Sequence, residues 1–181
     1  MTDVVIENMI VSTNLDSTLD LEEVASRNPE ATPLQENDMP GVVFHFHKPR
    51  IDVIILQDKI ISIGAKSFEK AEEKIMEVID KLREQGFKIE NRDLEVENIV
   101  ASCDFETTLP LDRIREEWSE EDVTFKPEEF PGLVYRYNDH VLFMLFERGK
   151  IICLGTRNLE ELLSVMKDFK EKLTSVEGVA I

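Results

Sequence analysis

Apolar positions along this chain alternate between two rhythms. Runs rich in β-branched residues lie at about 4–13, 41–47, 51–57 and 59–64 and read as strands. Helical spacing then takes over in Ala71, Ile75, Val78, Ile79 and Leu82, with Ser67 placed to cap the start and Gly86 to end the run. The succession returns further on. Strands are predicted at about 94–105, 132–137, 140–146 and 150–155. A helical stripe follows in Leu159, Leu162, Met166, Phe169 and Leu173, behind a capping-box pair of Asn158 and Glu161. Between first strand and second, each half holds a short acidic helix, Leu21 to Arg27 and Leu111 to Trp118.

The recurrence is a duplication. Asn8 in Ile6-Glu7-Asn8-Met9-Ile10-Val11-Ser12 answers Asn98 in Val96-Glu97-Asn98-Ile99-Val100-Ala101-Ser102 at an offset of 90. Met39-Pro40-Gly41-Val42-Val43 answers Phe130-Pro131-Gly132-Leu133-Val134, and Lys59-Ile60-Ile61-Ser62-Ile63-Gly64 answers Lys150-Ile151-Ile152-Cys153-Leu154-Gly155, both at 91. The matches keep their order along the whole chain. They divide it into residues 1–90 and 91–181, two copies of one unit rather than a solenoid of short repeats. Short strand connections make the sheets antiparallel, so the fold class is α+β.

These strands do not alternate apolar with polar. Ile51-Asp52-Val53-Ile54-Ile55-Leu56 is apolar on both faces except at Asp52, and Val141-Leu142-Phe143-Met144-Leu145-Phe146 is apolar throughout. One amphipathic helix per half covers one face. The other face either packs on a second sheet or a second copy, or it is an apolar surface built for a partner. The pattern alone leaves both open.

Composition narrows the function. The chain has 181 residues and a net charge of −17, with 42% hydrophobic residues, enough for an ordinary core. No apolar run is long enough for a membrane span, and Met1-Thr2-Asp3-Val4-Val5 lacks the basic start of a secretory signal. Cys103 and Cys153 form neither a disulfide framework nor a metal motif; they are expected as small core residues in a reducing intracellular compartment. His45, Phe46 and His47 put two imidazoles on one strand face, with His140 the third histidine, but no further ligand completes a metal site. Phosphate-cradling and nucleophile-elbow motifs are absent from the sequence. No catalytic residue, metal or cofactor is expected.

The twin asparagine segments, Glu128-Glu129-Phe130-Pro131-Gly132-Leu133-Val134-Tyr135-Arg136, Leu145-Phe146-Glu147-Arg148-Gly149-Lys150 and Gly64-Ala65-Lys66-Ser67 together carry a resemblance. Over essentially its whole length the chain resembles the TATA-binding protein family, most closely its short archaeal form. The resemblance implies a duplicated, saddle-like, curved ten-stranded antiparallel sheet with four helices on its convex side. It implies a general transcription initiation factor that lies on the minor groove of A·T-rich double-stranded promoter DNA, bends it, and recruits a transcription factor B-type protein and RNA polymerase. It would act in the cytoplasm of an archaeon, or in the nucleus of a eukaryote, without a membrane; a homodimer of the free protein is left open.

The family's DNA-contacting positions fall on Asn8, Ile10, Ile63, Asn98, Val100 and Leu154, with basic residues Arg50, Lys59, Lys66, Arg136, Lys150 and Arg157 toward phosphates. An amide suits the minor groove, where A·T steps show only acceptors. Intercalating wedges fall on Phe130 and Phe146 in the second half and on Met39 and Leu56 in the first, where the family has phenylalanine. Glu128 and Glu129 fall on the loop used toward transcription factor B, although Lys126 stands where that loop is usually acidic. The first half departs further: His45 stands opposite Arg136 in the repeat, and Asp52 falls on the presumed DNA face by alternation. These departures motivate a second reading, a divergent paralogue acting mainly as a protein-interaction module with altered DNA binding. Charge is unevenly spread. Segments 41–66 and 132–157 each hold four Lys+Arg and two Asp+Glu, a local +2, which leaves −21 on the remainder. The overall acidity therefore does not exclude DNA.

Overall fold

The computed structural model describes residues 3–34 and 38–181. The chain divides into two compact units, Asn8–Glu97 and Asn98–Ile181 together with Met1–Glu7. They are called the first and second units below.

The first unit is built from β1 (Val5–Asn14), α1 (Leu21–Arg27), β2 (Thr32–Leu34), β3 (Gly41–His47), β4 (Arg50–Ile55), β5 (Lys59–Ala65) and α2 (Phe68–Glu84). Its strands lie in the order β2-β3-β4-β5-β1, and every pairing is antiparallel. The second unit uses β6 (Glu95–Asp104), α3 (Leu111–Glu117), β7 (Val123–Thr124), β8 (Leu133–Arg136), β9 (Leu142–Leu145), β10 (Lys150–Thr156) and α4 (Leu159–Thr174) in the order β6-β10-β9-β8-β7. Strands β2 and β7 are absent from the pattern reading. At three and two residues, one containing Pro33, they are too short to show a period; they form because the neighbouring strand offers an edge.

One face of each sheet carries the core. In the first unit Ile51, Val53, Ile55 and Ile60 lie fully buried beneath Ile75, Val78, Ile79 and Leu82 of α2. In the second unit the same layer is aromatic: Phe143 stacks on Phe169 of α4 at 4.0 Å and 9°, and Trp118 meets Tyr135 at 5.0 Å. Each buried aliphatic or aromatic side chain is worth about 1.5–3 kcal/mol of transfer free energy, so these stripes hold the helices down. Cys103 and Cys153 sit in this layer, where burial pushes their thiols up to about 11 and about 12.

The helix ends follow from single residues. Ser67 Oγ accepts from the Lys70 N–H at 3.2 Å. Gly86, at φ +93°, ends α2: its N–H bonds Arg83 O at 3.0 Å and the Phe87 N–H bonds Leu82 O at 3.1 Å. At α4, Asn158 Oδ1 accepts from the Glu161 N–H at 2.8 Å. The Glu161 carboxylate bonds the Arg157 N–H rather than that of Asn158, so the expected box closes one residue early. That bond, with His140 beside it, holds the Glu161 carboxyl below its usual range. The apolar stripe of α4 needs one correction. Leu159 is 54% exposed, and Val165 takes its place in the core.

Candidate nucleic-acid interface

The sheet face opposite the helices is apolar and uncovered. Residues paired across antiparallel strands share a face. In the first unit Ile54 pairs with Ile61, Asp52 with Ile63, and Ser12 with Ile61 on its other side. Ile10, Ile54, Ile61 and Ile63 are half-buried there, while their odd-numbered neighbours on β4 lie in the core. In the second unit Val100, Val134, Leu142, Met144, Ile152 and Leu154 repeat the arrangement. Among the described residues no second layer packs on either face. Within the described residues the open alternative of a sandwich is thereby removed.

Each unit sets one asparagine amide on this face by the same device. Asn8 Oδ1 accepts from the Gly64 N–H at 2.7 Å, and Asn98 Oδ1 accepts from the Gly155 N–H at 2.8 Å. The bonds fix which end of each amide points inward: oxygen to the backbone, NH2 outward, with no protein acceptor for either NH2 among the described residues. Both glycines sit where the register with β1 or β6 slips, at φ +101° and +100°. A Cβ on Gly64 would lie 2.8 Å from Arg50 O, and one on Gly155 1.7 Å from His140 O. The sequence shows these glycines only as a repeated register. Their role as amide donors comes from the bulge, which no periodicity announces.

The wedge positions separate the units. Phe130 and Phe146 meet edge to face with centroids 5.8 Å apart and planes at 71°. Both rest over Gly132, whose missing side chain makes room: a Cβ there would come within 2.7 Å of Phe130 and 3.1 Å of Phe146. Phe130 remains 39% exposed. In the first unit Gly41 lies under Leu56 and Leu34, a Cβ being 3.1 and 3.2 Å from their methyls. Met39 is 54% exposed. Leu56 and Phe146 each follow the last residue of a strand, so the predicted strand 51–57 ends two residues early.

Charged groups on the interface are more often occupied than their sequence positions suggest. Glu97 takes both the Ser12 hydroxyl, at 2.9 Å, and the Lys59 ammonium. Glu7 takes the Ser102 hydroxyl at 2.6 Å. Neither glutamate is singled out by the sequence reading. Asp52, expected on this face by alternation, lies there opposite Ile63 and is bonded to His45 Nδ1 at 2.7 Å, while His45 Nε2 meets Thr32 Oγ1 at 3.0 Å. Arg136 lies 3.4 Å from Asp122. Arg50, Lys66, Lys150 and Arg157 are exposed, and no ion pair of theirs is formed among the described residues.

Glu128 and Glu129 project from the loop before β8, with Glu129 3.7 Å from Lys126. Beside this loop lies an open cleft of about 630 Å³ lined by Pro110, Asp112, Arg113, Phe125, Pro127 and Pro131 among others. Among the described residues no cluster of three His, Cys, Asp or Glu could hold a metal, and no helix is long and apolar enough to cross a membrane.

Comparison with known proteins agrees with this geometry. The family model described as "Transcription factor TFIID (or TATA-binding protein, TBP)" matches residues 3–85 and again 93–176. A TATA-box-binding protein of Picrophilus torridus is 34% identical over 179 residues, covering 97% of each chain. That of Methanocaldococcus jannaschii is 34% identical over 95% of this chain and 94% of its own. TATA-box-binding protein B of Halobacterium salinarum is 34% identical over 94% and 93%. The solved structure of Methanococcus jannaschii TBP superposes with a TM-score of 0.83 at 31% identity, over 96% of this chain and 99% of that one.

Proposed function

Because the chain belongs to the TATA-binding protein family, we propose that it is a general transcription initiation factor that binds A·T-rich promoter DNA in the minor groove, bends it, and recruits a transcription factor B-type protein and RNA polymerase. The observation that carries the reading is the uncovered apolar sheet face of each unit with one outward-turned asparagine NH2 on it. An NH2 group donates to adenine N3 and thymine O2, the acceptors an A·T step shows in the minor groove. A guanine amino group would meet the same NH2 as a second donor, which disfavours G·C.

A broad apolar sheet enters a narrow groove only if the groove opens. Insertion of apolar wedges between base steps does this, a mode of which the TATA-binding protein is itself the standard example. In the second unit Phe130 and Phe146 supply the wedge. In the first, Met39 and Leu56 occupy the matching places with no ring to stack. Arg50, Lys66, Lys150 and Arg157, exposed on their strands and loops, would meet phosphates. Glu128, Glu129 and the cleft beside them would take the transcription factor B-type partner. The mechanism is deformation and recruitment, with no bond made or broken in the DNA.

A gel-shift series over salt, using an A·T-rich duplex and a scrambled control, tests the reading. Four phosphate contacts give a slope of roughly −4 in log K against log salt. Absence of an A·T preference at every salt concentration would overturn it. The second reading, a paralogue working mainly through proteins, is favoured by the first unit's occupied groups: Asp52 with His45, Lys59 with Glu97. It predicts partner capture without DNA, and DNA binding at the strength of an ordinary family member excludes it.

A further inference from the structure

The units differ where the short helix ends beside the sheet. In the second unit Trp118, the residue after α3, is 5% exposed. Its indole meets Tyr135 at 5.0 Å and Phe169 at 6.1 Å, and the Lys172 ammonium stands 5.1 Å from the ring centre. Tyr137 donates its hydroxyl proton to Asp168 of α4 at 2.8 Å. Rings close this edge of the core.

At the repeat offsets of 90 and 91 the first unit has Asn28 for Trp118, Phe44 for Tyr135, Phe46 for Tyr137, Glu77 for Asp168, Val78 for Phe169 and Lys81 for Lys172. Lys81 keeps its place 5.6 Å from the centre of the Phe44 ring, as Lys172 stands 5.6 Å from that of Tyr135. Asn28 supplies no ring beside it. It is buried and turned to the ends of α1 and α2: its Nδ2 donates to Val24 O at 2.8 Å and to Gln85 Oε1 at 2.9 Å. Phe46 has no hydroxyl for Glu77, which holds Lys74 at 2.9 Å instead.

A pocket of about 360 Å³ opens at this place, lined by Glu30, Phe44, Phe46, Glu77, Val78 and Lys81 among others. All its lining residues are among those described, and β2 runs away from it, from Thr32 opposite Val43 to Leu34 opposite Gly41. Phe44, Val78 and Lys81 answer the three groups that hold Trp118, so the space suits one bicyclic aromatic side chain. The surroundings are acidic: residues 21–30 and 68–84 hold nine Asp and Glu against five Lys and Arg. The cations nearest the pocket are already held, Lys81 by Glu30 and Lys74 by Glu77. A second copy of the chain offers no fitting group. Phe130, the one well-exposed aromatic side chain among the described residues, directly follows Glu128 and Glu129.

We propose that this pocket receives a tryptophan-sized aromatic side chain of a partner protein, carried in a segment whose flanking residues are basic. The ring lies against Phe44 and Val78 with the Lys81 ammonium at its face, as Trp118 lies against Tyr135 and Phe169 beside Lys172. The flanking cations meet the acidic surplus of α1 and α2, with Glu77 at the rim. The second unit carries its own ring here and has no such vacancy for a partner to fill. The pocket adjoins α2, so its occupant does not depend on DNA at the opposite sheet face.

The test uses the full chain and three fluorescein-labelled heptapeptides, read by anisotropy at physiological salt. One has a central tryptophan among lysines and serines, one has alanine for the tryptophan, and one has glutamates for the lysines. The first is expected to bind at least about tenfold more tightly than either of the others. Asn28→Trp supplies the repeat's own ring and should remove the preference for tryptophan over alanine while keeping that for lysine over glutamate. Its fold is checked by urea unfolding. Glu77→Lys changes a rim side chain that is 55% exposed, leaves the core untouched, and should weaken the tryptophan–lysine peptide several-fold. Equal binding of the tryptophan and alanine peptides, no binding of any, or an unchanged affinity in Glu77→Lys overturns the proposal. So does a folded Asn28→Trp that still prefers tryptophan. A concentration-dependent dimer dispersed by Glu77→Lys overturns it too, because the occupant is then a second copy.

Discussion

At one end of the second unit's sheet two phenyl rings meet edge to face over Gly132; at the matching end of the first unit Leu56 and Leu34 close over Gly41 while Met39 is largely in solvent. Elsewhere the two sheets agree closely. Both orient an asparagine with a bulge glycine, at 2.7 and 2.8 Å, and both leave the same face apolar. Under the proposed function, the part that would read acceptors is present in duplicate, and the aromatic part that would pry is present once. A symmetric reader with an asymmetric wedge would bind one end of its box by stacking and the other by shape alone. The electrostatics follow the same division. Lys150 is exposed, whereas its repeat partner Lys59 is held by Glu97.

The largest effect expected from this difference is in the wedges. Stacking of a base on an aromatic ring is worth about 1–3 kcal/mol. The double variant Phe130→Ala, Phe146→Ala should lose roughly a hundredfold in duplex affinity and most of the bend, measured by gel shift and by fluorescence energy transfer between duplex ends. The double variant Met39→Ala, Leu56→Ala should lose only a few-fold. Equal losses would mean that both ends insert alike and that the rings confer nothing special.

The bulge glycines offer a second, stability-based separation. At φ near +100° any side chain is strained, by about 1–3 kcal/mol. Gly155→Ala adds a Cβ 1.7 Å from His140 O, where the main chain must move; Gly64→Ala adds one 2.8 Å from Arg50 O. Urea unfolding should therefore show a larger loss for Gly155→Ala than for Gly64→Ala. The reverse order would show that the second unit's loop yields more easily than its backbone packing indicates.

Much of this was legible in the chain. The duplication follows from repeated motifs, and the two long helices and eight of the ten strands from periodicity, with both ends of α2 and the start of α4 signalled by Ser67, Gly86 and Asn158. Family resemblance supplied the asparagines and wedges as positions. What stayed hidden depends on register. Asp52 reads as a bare acid on a DNA face until β3 brings His45 opposite it. Nothing in the sequence singles out Glu7 and Glu97, which meet Ser102 and Ser12, each more than eighty positions away. Leu159 fits a helical stripe that, in the folded chain, passes Val165 instead.

If the paired arrangement of Asn8 and Asn98 is what reads the groove, the two units should respond equally at this position, in contrast to the wedges. Asn→Asp at either site replaces the outward NH2 by a second carboxylate oxygen, removing one donor and adding a charge that groove acceptors repel. Leaving the groove acceptor unpaired opposite a carboxylate costs about 1–3 kcal/mol, so each variant should lose roughly ten- to a hundredfold in A·T-duplex affinity. The Gly N–H bond survives in both, so folding stability should be nearly unchanged. A loss at Asn98 alone would show that the first unit no longer reads the DNA.

The smallest expected effect concerns Asp52. Its carboxylate shares a face with Ile54 and Ile63 and holds His45 at 2.7 Å. The pair is partly exposed, so breaking it costs the fold little, under about 1 kcal/mol. Asp52→Asn keeps the size and an acceptor for His45 while removing a negative charge from beside the proposed phosphate path. Duplex affinity should rise a few-fold at low salt, and the gain should shrink as salt rises, since screening weakens an exposed repulsion. An unchanged affinity at low salt would mean that His45 already masks the acid. Any weaker hold of the first unit on DNA would then rest on Met39, Leu56 and the Lys59 ammonium held by Glu97, and restoring Phe at the first two positions would bring the ends closer without making them alike.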